Sequence, residues 1–249
     1  MKHIYAFEDI EEYKKYQDII QCFSERLNDY QTVLEEEYDL VDKPEGVIWT
    51  SAEIATSIFS DLPIPAFTNK DTIYITPDVK AWRKLFIQQL DGKDLPHIQR
   101  FYEQLSENHI LTILGHELTH HSDLFLDEFE DEREDGIWFE EGMCEYLPRK
   151  LLLTKNEFKT ISAIEKELVD VFTEVYGGRS LDDFGNNSYT ASLSSIMFDY
   201  WRSFLYIKYL VEDRYEHDIK EVFEEYHRWD REGRMLSLTE YFGLDKVSI

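Results

Sequence analysis

Apolar residues recur at helical spacing over most of the chain, and a short strand-forming stretch interrupts them near its start. In the first helix, predicted over residues 8–37, Ile20 and Phe23 belong to one apolar face. Two runs rich in β-branched residues, 47–50 and 72–76, predict short strands, because such side chains favour the pleated conformation.

Between the predicted strands, Ser51 is placed to cap a helix that ends near Phe59. Pro63, Pro65 and Asn69 then predict an extended loop, since proline fixes the backbone and removes a hydrogen-bond donor. These signals place two strands and one short helix between the first helix and Pro77.

After Pro77 the pattern is helical almost to the end of the chain. It predicts helices over residues 78–90, 96–105, 108–121, 137–153, 156–176, 189–211 and 217–229. The acidic stretch 123–135 is predicted as a loop. The expected fold is therefore α+β and mostly helical, with a strand-bearing N-terminal lobe over residues 1–122 and a helical C-terminal lobe over residues 123–249.

The composition of the chain argues against some classes of binding partner. The chain has 52 acidic and 26 basic residues, a formal net charge of -26, which repels nucleic acids and anionic membranes. The N-terminal segment MKHIYAFEDIEEY lacks the basic and apolar regions of a signal peptide, so we expect a cytoplasmic protein. Cys22 and Cys144 lie far apart and form no Cys-x-x-Cys pair, which gives no support to a thiolate zinc site.

The most informative stretch is His116-Glu117-Leu118-Thr119-His120. Residues four apart share one face of a helix, so the two imidazoles can reach one Zn²⁺ at about 2.0–2.1 Å each. Glu117 points beside the metal, where it can take a proton from the attacking water and pass it to a leaving amine. This pattern predicts a zinc site with His116 and His120 as ligands and Glu117 as the catalytic base.

A catalytic zinc ion needs a third protein ligand, and the predicted helix over 137–153 offers three acids. Glu141 and Glu145 are four apart and share a face, so one can bind zinc while the other orients a ligand imidazole. Glu140 points elsewhere, but its neighbours are also apolar, and spacing alone leaves it open as a ligand.

These motifs together resemble the gluzincins, zinc peptidases whose ligands are two histidines and a downstream glutamate. The stretch Glu141-Gly142-Met143-Cys144-Glu145-Tyr146 looks like the glutamate helix of their aminopeptidase-like branch. The resemblance covers about residues 108–245. It implies one zinc ion per chain with Glu141 as third ligand, and Glu145 as the acid that orients the first histidine.

The same resemblance extends to the predicted helix over 189–211. Its segment 200–210 looks like the helix of such peptidases that begins with an active-site tyrosine, which implies that Tyr200 donates a hydrogen bond to the oxyanion. Tyr189, His217 and His227 are the other candidates for this role.

Two departures limit the resemblance. Glu140 stands where many relatives carry Asn, and the Gly-x-Met-x-Asn motif of the large aminopeptidases is absent, so recognition of a free N-terminus has no support. The resemblance implies instead that residues 67–76 supply the edge strand along which gluzincins align a peptide.

The expected function is zinc-dependent hydrolysis of peptide bonds in a peptide or protein substrate, in a cleft between the two lobes. The alternatives are a catalytically silent zinc-binding interaction module and an unrelated helical protein with a chance motif. Retention of Glu117 beside the ligands favours the enzyme, since a purely structural zinc site needs no base.

Overall fold

The computed structural model describes residues 1–60, 63–127, 129, 135–185, 191–244 and 247. Within them the chain is mostly helical with one four-stranded sheet, which confirms the predicted α+β, mostly helical class. The strands are β1 (Lys2–Ala6), β2 (Gly46–Thr50), β3 (Ala66–Thr68) and β4 (Thr72–Ile75). The helices are α1 (Ile10–Glu37), α2 (Ala52–Ile54), α3 (Val79–Gln88), α4 (Pro96–Glu103), α5 (Glu107–Thr119), α6 (Ile137–Leu152), α7 (Lys155–Tyr176), α8 (Leu193–Tyr209), α9 (Ile219–Arg231) and α10 (Leu238–Tyr241).

The chain divides into two compact units. Unit 1 comprises Met1–Asp123 and Leu147–Thr154, and contains the sheet, α1 to α5 and the C-terminal end of α6. Unit 2 comprises Leu124–Tyr146 and Lys155–Ile249, and contains the start of α6 and α7 to α10. Because α6 is one continuous helix, the chain passes from unit 2 to unit 1 inside it.

The core of unit 1 lies on one face of the sheet. The strand order is β1-β2-β4-β3, with β1, β2 and β4 parallel and β3 antiparallel to β4. Alternate residues of β2 and β4 point into the core, where Trp49 and Ile75 are fully buried. Helix α1 packs here through residues three or four apart, and its Phe23 ring lies 6.4 Å from that of Trp49.

The β3–β4 hairpin fixes the edge of this sheet. The Thr76 amide donates to the Pro65 carbonyl and the Asn69 amide to the Thr72 carbonyl, each at 3.0 Å. The Asn69 side chain closes the turn by accepting from the Thr72 amide at 2.9 Å. In the described part of the chain β3 is therefore the last strand on its side of the sheet.

Local residue patterns predicted neither β1 nor β3. The prolines at 63 and 65 predicted a loop where the three-residue strand β3 lies, although the resemblance implied an edge strand from residue 67 onward. β1 precedes the first helix, and its Ile4 and Tyr5 are 46% and 48% exposed, so it has no buried alternating pattern. The partner of β1 is the distant strand β2, and β3 is a short edge strand of a hairpin with β4, so local periodicity reports neither of them.

Unit 2 is built on paired helices. Helices α7 and α8 pack along each other, with the ring centroids of Phe172 and Trp201 5.8 Å apart and those of Phe158 and Phe204 6.0 Å apart. Helix α8 begins at Leu193, later than the predicted residue 189, and residues 186–190 lie outside the described part of the chain. No helix among the described residues is long and apolar enough to cross a membrane.

Stability should fall on acidification through His3 on β1. The Trp49 indole donates to His3 Nδ1 at 3.0 Å, which requires that nitrogen to be unprotonated. Burial, and to a lesser extent the N-terminal ammonium, lowers the pKa of His3 below its ordinary 6.5. The stabilisation that neutral His3 gives the fold is therefore fully present above about pH 6.5. It is lost as the pH falls through the lowered pKa of His3.

The test is urea unfolding of wild type and His3→Asn between about pH 7.5 and pH 5, since the Asn side chain keeps an acceptor near Nδ1 but does not titrate. We expect the wild type to lose more stability than the variant over this range. Parallel pH profiles would contradict the assignment.

Candidate metal centre

The two histidines of the sequence motif lie together at the end of α5. His116 is in the last turn of the helix and His120 follows Thr119 as its C-terminal cap. Their Nε2 atoms are 3.1 Å apart and their ring planes are inclined by 72°. Glu117, between them in sequence, is buried with 8% of its surface exposed. The helical spacing thus brings two imidazole nitrogens to one point.

Three side-chain hydrogen bonds hold the chain around His120. Thr119 Oγ1 lies 2.7 Å from the Tyr30 hydroxyl of α1. The His121 ring bonds Thr68 Oγ1 of β3 at 2.8 Å, and Ser122 Oγ donates to the Tyr38 carbonyl at 2.5 Å. The end of α5 is therefore fastened both to α1 and to the sheet.

His121 is held in its neutral form. Burial, with a further contribution from the neighbouring His120, lowers the pKa of His121 to about 3. Its Nε2 is engaged by Thr68, so this imidazole joins α5 to the sheet.

Glu141 on α6 completes a group that could hold a metal ion. One ligand atom from each of His116, His120 and Glu141 lies within 4.8 Å of the others. His116 and Glu141 are buried, and His120 is half-buried. Among the described residues, no other group of three such side chains meets this condition.

The donor set and its spacing suit zinc. Two imidazole nitrogens and one carboxylate oxygen are the ligands of many catalytic zinc sites. Tetrahedral bonds of about 2.0–2.1 Å place ligand atoms about 3.3 Å apart, close to the 3.1 Å between the two Nε2 atoms. The chemistry of the three donors and the spacing of the two imidazoles therefore fit a zinc ion.

Within unit 1, α5 and the C-terminal end of α6 lie unusually close together. A Cβ atom on Gly115 would lie 2.7 Å from the Pro148 side chain and 3.2 Å from that of Leu152. Only glycine allows this packing, and the next residue along α5 is His116. Arg26 of α1 strengthens the same end of α6 by donating to the Leu152 carbonyl at 3.0 Å.

A second glycine, Gly142, allows the N-terminal half of α6 to pack closely on α8 within unit 2. A Cβ atom on Gly142 would lie 2.6 Å from the Ser203 carbonyl oxygen and 2.6 Å from Ile207, both on α8. Phe139 stacks on Tyr226 of α9 with ring centroids 4.1 Å apart. Glu141, between Phe139 and Gly142, is thus carried by a helix packed tightly on both sides of it.

The other two acids of α6 differ in their surroundings. Glu145 is half-buried, one turn after Glu141. Glu140 is buried, with 2% of its surface exposed, on the side of the helix that faces Tyr226. Burial and then the charge of Glu140 raise the pKa of Tyr226, which keeps this phenol neutral. Glu140 does not belong to the metal-capable group.

No family model, curated protein or solved structure matches this chain. The roles of its residues are therefore inferred from their own geometry and chemistry.

The candidates for oxyanion stabilisation are spread over unit 2. Tyr200 on α8 is half-buried and packs edge-on against Phe184, with ring centroids 5.1 Å apart. His227 on α9 bonds the Leu124 carbonyl through Nε2 at 2.7 Å, so that ring is engaged with the backbone. His217 is exposed in a turn, and Tyr189 lies outside the described residues.

Arg234 contacts two acids of the acidic stretch 123–135, one within it and one at its C-terminal end. Arg234 donates to Asp135 at 2.6 Å and to Asp230 at 2.7 Å, and it lies 3.5 Å from Asp127. This guanidinium balances part of the local negative charge. Residues 128 and 130–134 lie outside the described part of the chain, and the described remainder forms no helix, as predicted.

One cluster of ion pairs on α8 was not identified from the sequence. Asp199, fully buried on α8 beside Tyr200, accepts from Arg179 at 2.5 Å and from Arg202 at 2.6 Å. The pairing of Asp199 with Arg202 is visible as a three-residue spacing on one helix, but Arg179 gives no local signal.

Gly142→Ala should destabilise the protein by about 1–3 kcal/mol, because the added methyl group meets the α8 backbone. The same change in an unobstructed helix would be neutral or favourable. Gly178→Ala is the matched control, since a Cβ atom there meets nothing within 4 Å. Urea unfolding of both variants measures the difference, and equal stabilities would contradict the close packing.

Proposed function

We propose that this protein is a zinc-dependent peptidase in which His116, His120 and Glu141 hold the metal. The observation that carries the proposal is the convergence of these three ligand atoms within 4.8 Å, with Glu117 on the same helix turn as His116. Bound zinc would supply a Lewis acid that polarises water and a peptide carbonyl.

Glu117 serves as the general base in this proposal. Its carboxylate removes a proton from the attacking water and delivers it to the nitrogen of the leaving amine. Burial suits this role, because it keeps bulk water away from the carboxylate during proton transfer. A site that only bound zinc would gain nothing from such a group.

Tyr200 is proposed to stabilise the oxyanion that forms when water adds to the carbonyl carbon. A phenol suits this step, since it donates a hydrogen bond and carries no charge at neutral pH. The Phe184 ring packs edge-on against Tyr200 at 5.1 Å and so restricts the position of its ring. Glu145 is proposed to orient an imidazole ligand, one turn along α6 from Glu141.

We also propose that the fold is gluzincin-like. The sequence motifs, the small mixed sheet with an antiparallel edge strand and the mostly helical remainder support a gluzincin-like arrangement around a zinc cleft. A peptide or protein is then the substrate.

Glu117→Gln should abolish cleavage while leaving one zinc ion per chain. The amide keeps the size of the side chain but loses its basicity, so turnover of a mixed peptide library should fall by about 10²–10⁴-fold. Zinc content is measured by atomic emission on the same samples. Glu107→Gln, at the exposed start of the same helix, is the matched control and should retain activity.

Three results would overturn this assignment in different ways. Zinc in wild type and Glu117→Gln with no cleavage by either would favour the silent zinc-binding module. Equal cleavage by both would remove Glu117 from the mechanism. A chain without zinc would exclude the metal centre and leave the histidine motif a chance occurrence.

Tyr200→Phe should lower kcat by about 10²–10³-fold with zinc content unchanged, because it removes one donor to the oxyanion and no bulk. Tyr209→Phe, on the same helix, is the control and should stay near wild-type activity. Steady-state kinetics on one good substrate from the library would measure both, and a near-normal kcat in Tyr200→Phe would exclude the role.

A further inference from the structure

The α3–α4 groove lies between these two helices of unit 1 and has a volume of about 400 Å³, within the range of ligand-binding pockets. Five of its lining residues lie on α3 and one on α4: Lys80, Arg83, Lys84, Ile87, Gln88 and Glu103. The residues at 80, 84 and 87 share one face of α3, because they are spaced by four and by three. None of the six lining residues belongs to the metal-capable group.

The segment around the groove is basic in a strongly acidic chain. Residues 79–102, from the start of α3 almost to the end of α4, include five basic and two acidic residues, a formal charge of +3, whereas the whole chain carries -26. Helix α3 itself has three cations and no acid. An acidic surface repels anionic groups and a positive patch attracts them, so an anion that approaches the protein is favoured at this groove.

Arg83 presents a fixed positive charge to the groove. Its Nε and Nη2 atoms donate to the Leu105 carbonyl at 3.0 and 2.7 Å, which holds the half-buried guanidinium in one orientation. A carbonyl carries no net charge, so these bonds do not neutralise the arginine. Its Nη1 atom donates to no described residue, and this nitrogen is a preorganised donor for a carboxylate.

Two lysines beside Arg83 have no acidic partner. Lys80 and Lys84 are exposed and form no ion pair with any described residue, whereas Lys14 and Lys43 each pair with a glutamate. Asp78, the nearest acid in sequence, instead caps α3 by accepting from the backbone amides of residues 80 and 81 at 2.8 and 3.3 Å. The two ammonium groups are therefore available to a ligand.

The remaining lining residues narrow the class of anion. Ile87 is half-buried, and the aliphatic stems of Lys80 and Lys84 add apolar surface on the same face of α3. Glu103 is exposed on the α4 side, where it accepts from Gln99 at 2.8 Å, and it would repel a ligand that is negative on every side. Nucleic acids and polyphosphates are such ligands. A peptide, in contrast, can carry carboxylates towards α3 and uncharged groups elsewhere.

We propose that the α3–α4 groove docks an acidic segment of a partner protein. Its carboxylates bind Lys80, Arg83 and Lys84, and a neighbouring apolar side chain packs on Ile87. The two lysines lie about 6 Å apart along the helix axis. Carboxylates reach this spacing from positions two apart in an extended peptide or four apart in a helix. This docking goes beyond the proposed peptidase function and does not depend on it, since the groove shares no residue with the metal-capable group.

The experiment measures peptide binding in zinc-loaded Glu117→Gln protein, so that no probe is cleaved. The probe is an end-capped twelve-residue peptide of Glu, Leu and Ser with a zwitterionic rhodamine label, and two companions carry Gln for Glu or Ser for Leu. Fluorescence anisotropy at low ionic strength should show about tenfold weaker binding of the Gln peptide. The peptide without Leu should bind about threefold more weakly than the probe, because it buries less apolar surface.

Two double variants locate the site. Lys80→Gln with Lys84→Gln should weaken binding of the acidic probe about five- to tenfold, because two ion pairs are lost. Lys155→Gln with Lys159→Gln is the matched control: these lysines are also exposed and four apart on one helix, α7, and the formal charge changes equally. It should stay within about twofold of the parent. Arg83 is left intact, since its replacement would also remove the bonds to Leu105. Circular dichroism checks each protein for folding.

Each contrary result overturns a stated part of the proposal. Equal weakening in the two double variants would show that the net charge of the protein, and not the groove, governs binding. Equal binding of the Glu and Gln peptides would reject the acidic partner, and equal binding with and without Leu would reject the contact with Ile87. An unlabelled thymidine oligonucleotide that displaced the probe as well as the unlabelled peptide does would make the groove a general anion site. Cleavage enters none of these measurements, so a failed peptidase assignment would leave them unchanged.

Discussion

The close packing of α5 on the C-terminal half of α6 is the constraint on which the candidate site depends. At Gly115 there is no room for a Cβ atom beside Pro148, so the two helix axes approach further than ordinary side chains permit. The residue after Gly115 is His116, and Glu141 lies about two turns before Pro148 on the same helix. Gly142 makes the equivalent contact with α8. Ligand positions are thereby set by backbone packing, which deforms less than mobile side chains do.

Charge is distributed unevenly in this acidic chain. Carboxylates that leave the solvent need partners, and Asp199 obtains two guanidinium groups in the interior of unit 2. Arg234 pairs with Asp127 and Asp135 of the stretch 123–135. At the metal centre the carboxylate of Glu141 lies near imidazoles instead, a donor set that a divalent cation would complete. Glu117, Glu140 and Glu165 are buried as well.

The sheet contributes a buried face, an accessible apolar face and an edge. Trp49 and Ile75 anchor the buried face against α1 and α5. On the other face Ile4, Ile48, Tyr74 and Phe67 lie side by side, and they are exposed or half-buried. The hydrogen bond between Thr68 and His121 couples the edge strand to the end of the metal-binding helix. The short strand β3 thereby helps to fix the position of the helix that carries the histidines.

The sequence by itself determined the mostly helical class, the helix that carries His116 and His120 and the helix that carries Glu141. Those features depend on local spacing: a 3.6-residue repeat of apolar side chains and two histidines four residues apart. Only the tertiary structure decided that Arg179 reaches Asp199 and that β1 is a strand. It also brings Glu141, the ligand that the resemblance implied, to the histidines and leaves Glu140 outside the group. These depend on contacts between residues far apart in the chain, whose energies appear only when the elements pack, so no local pattern records them.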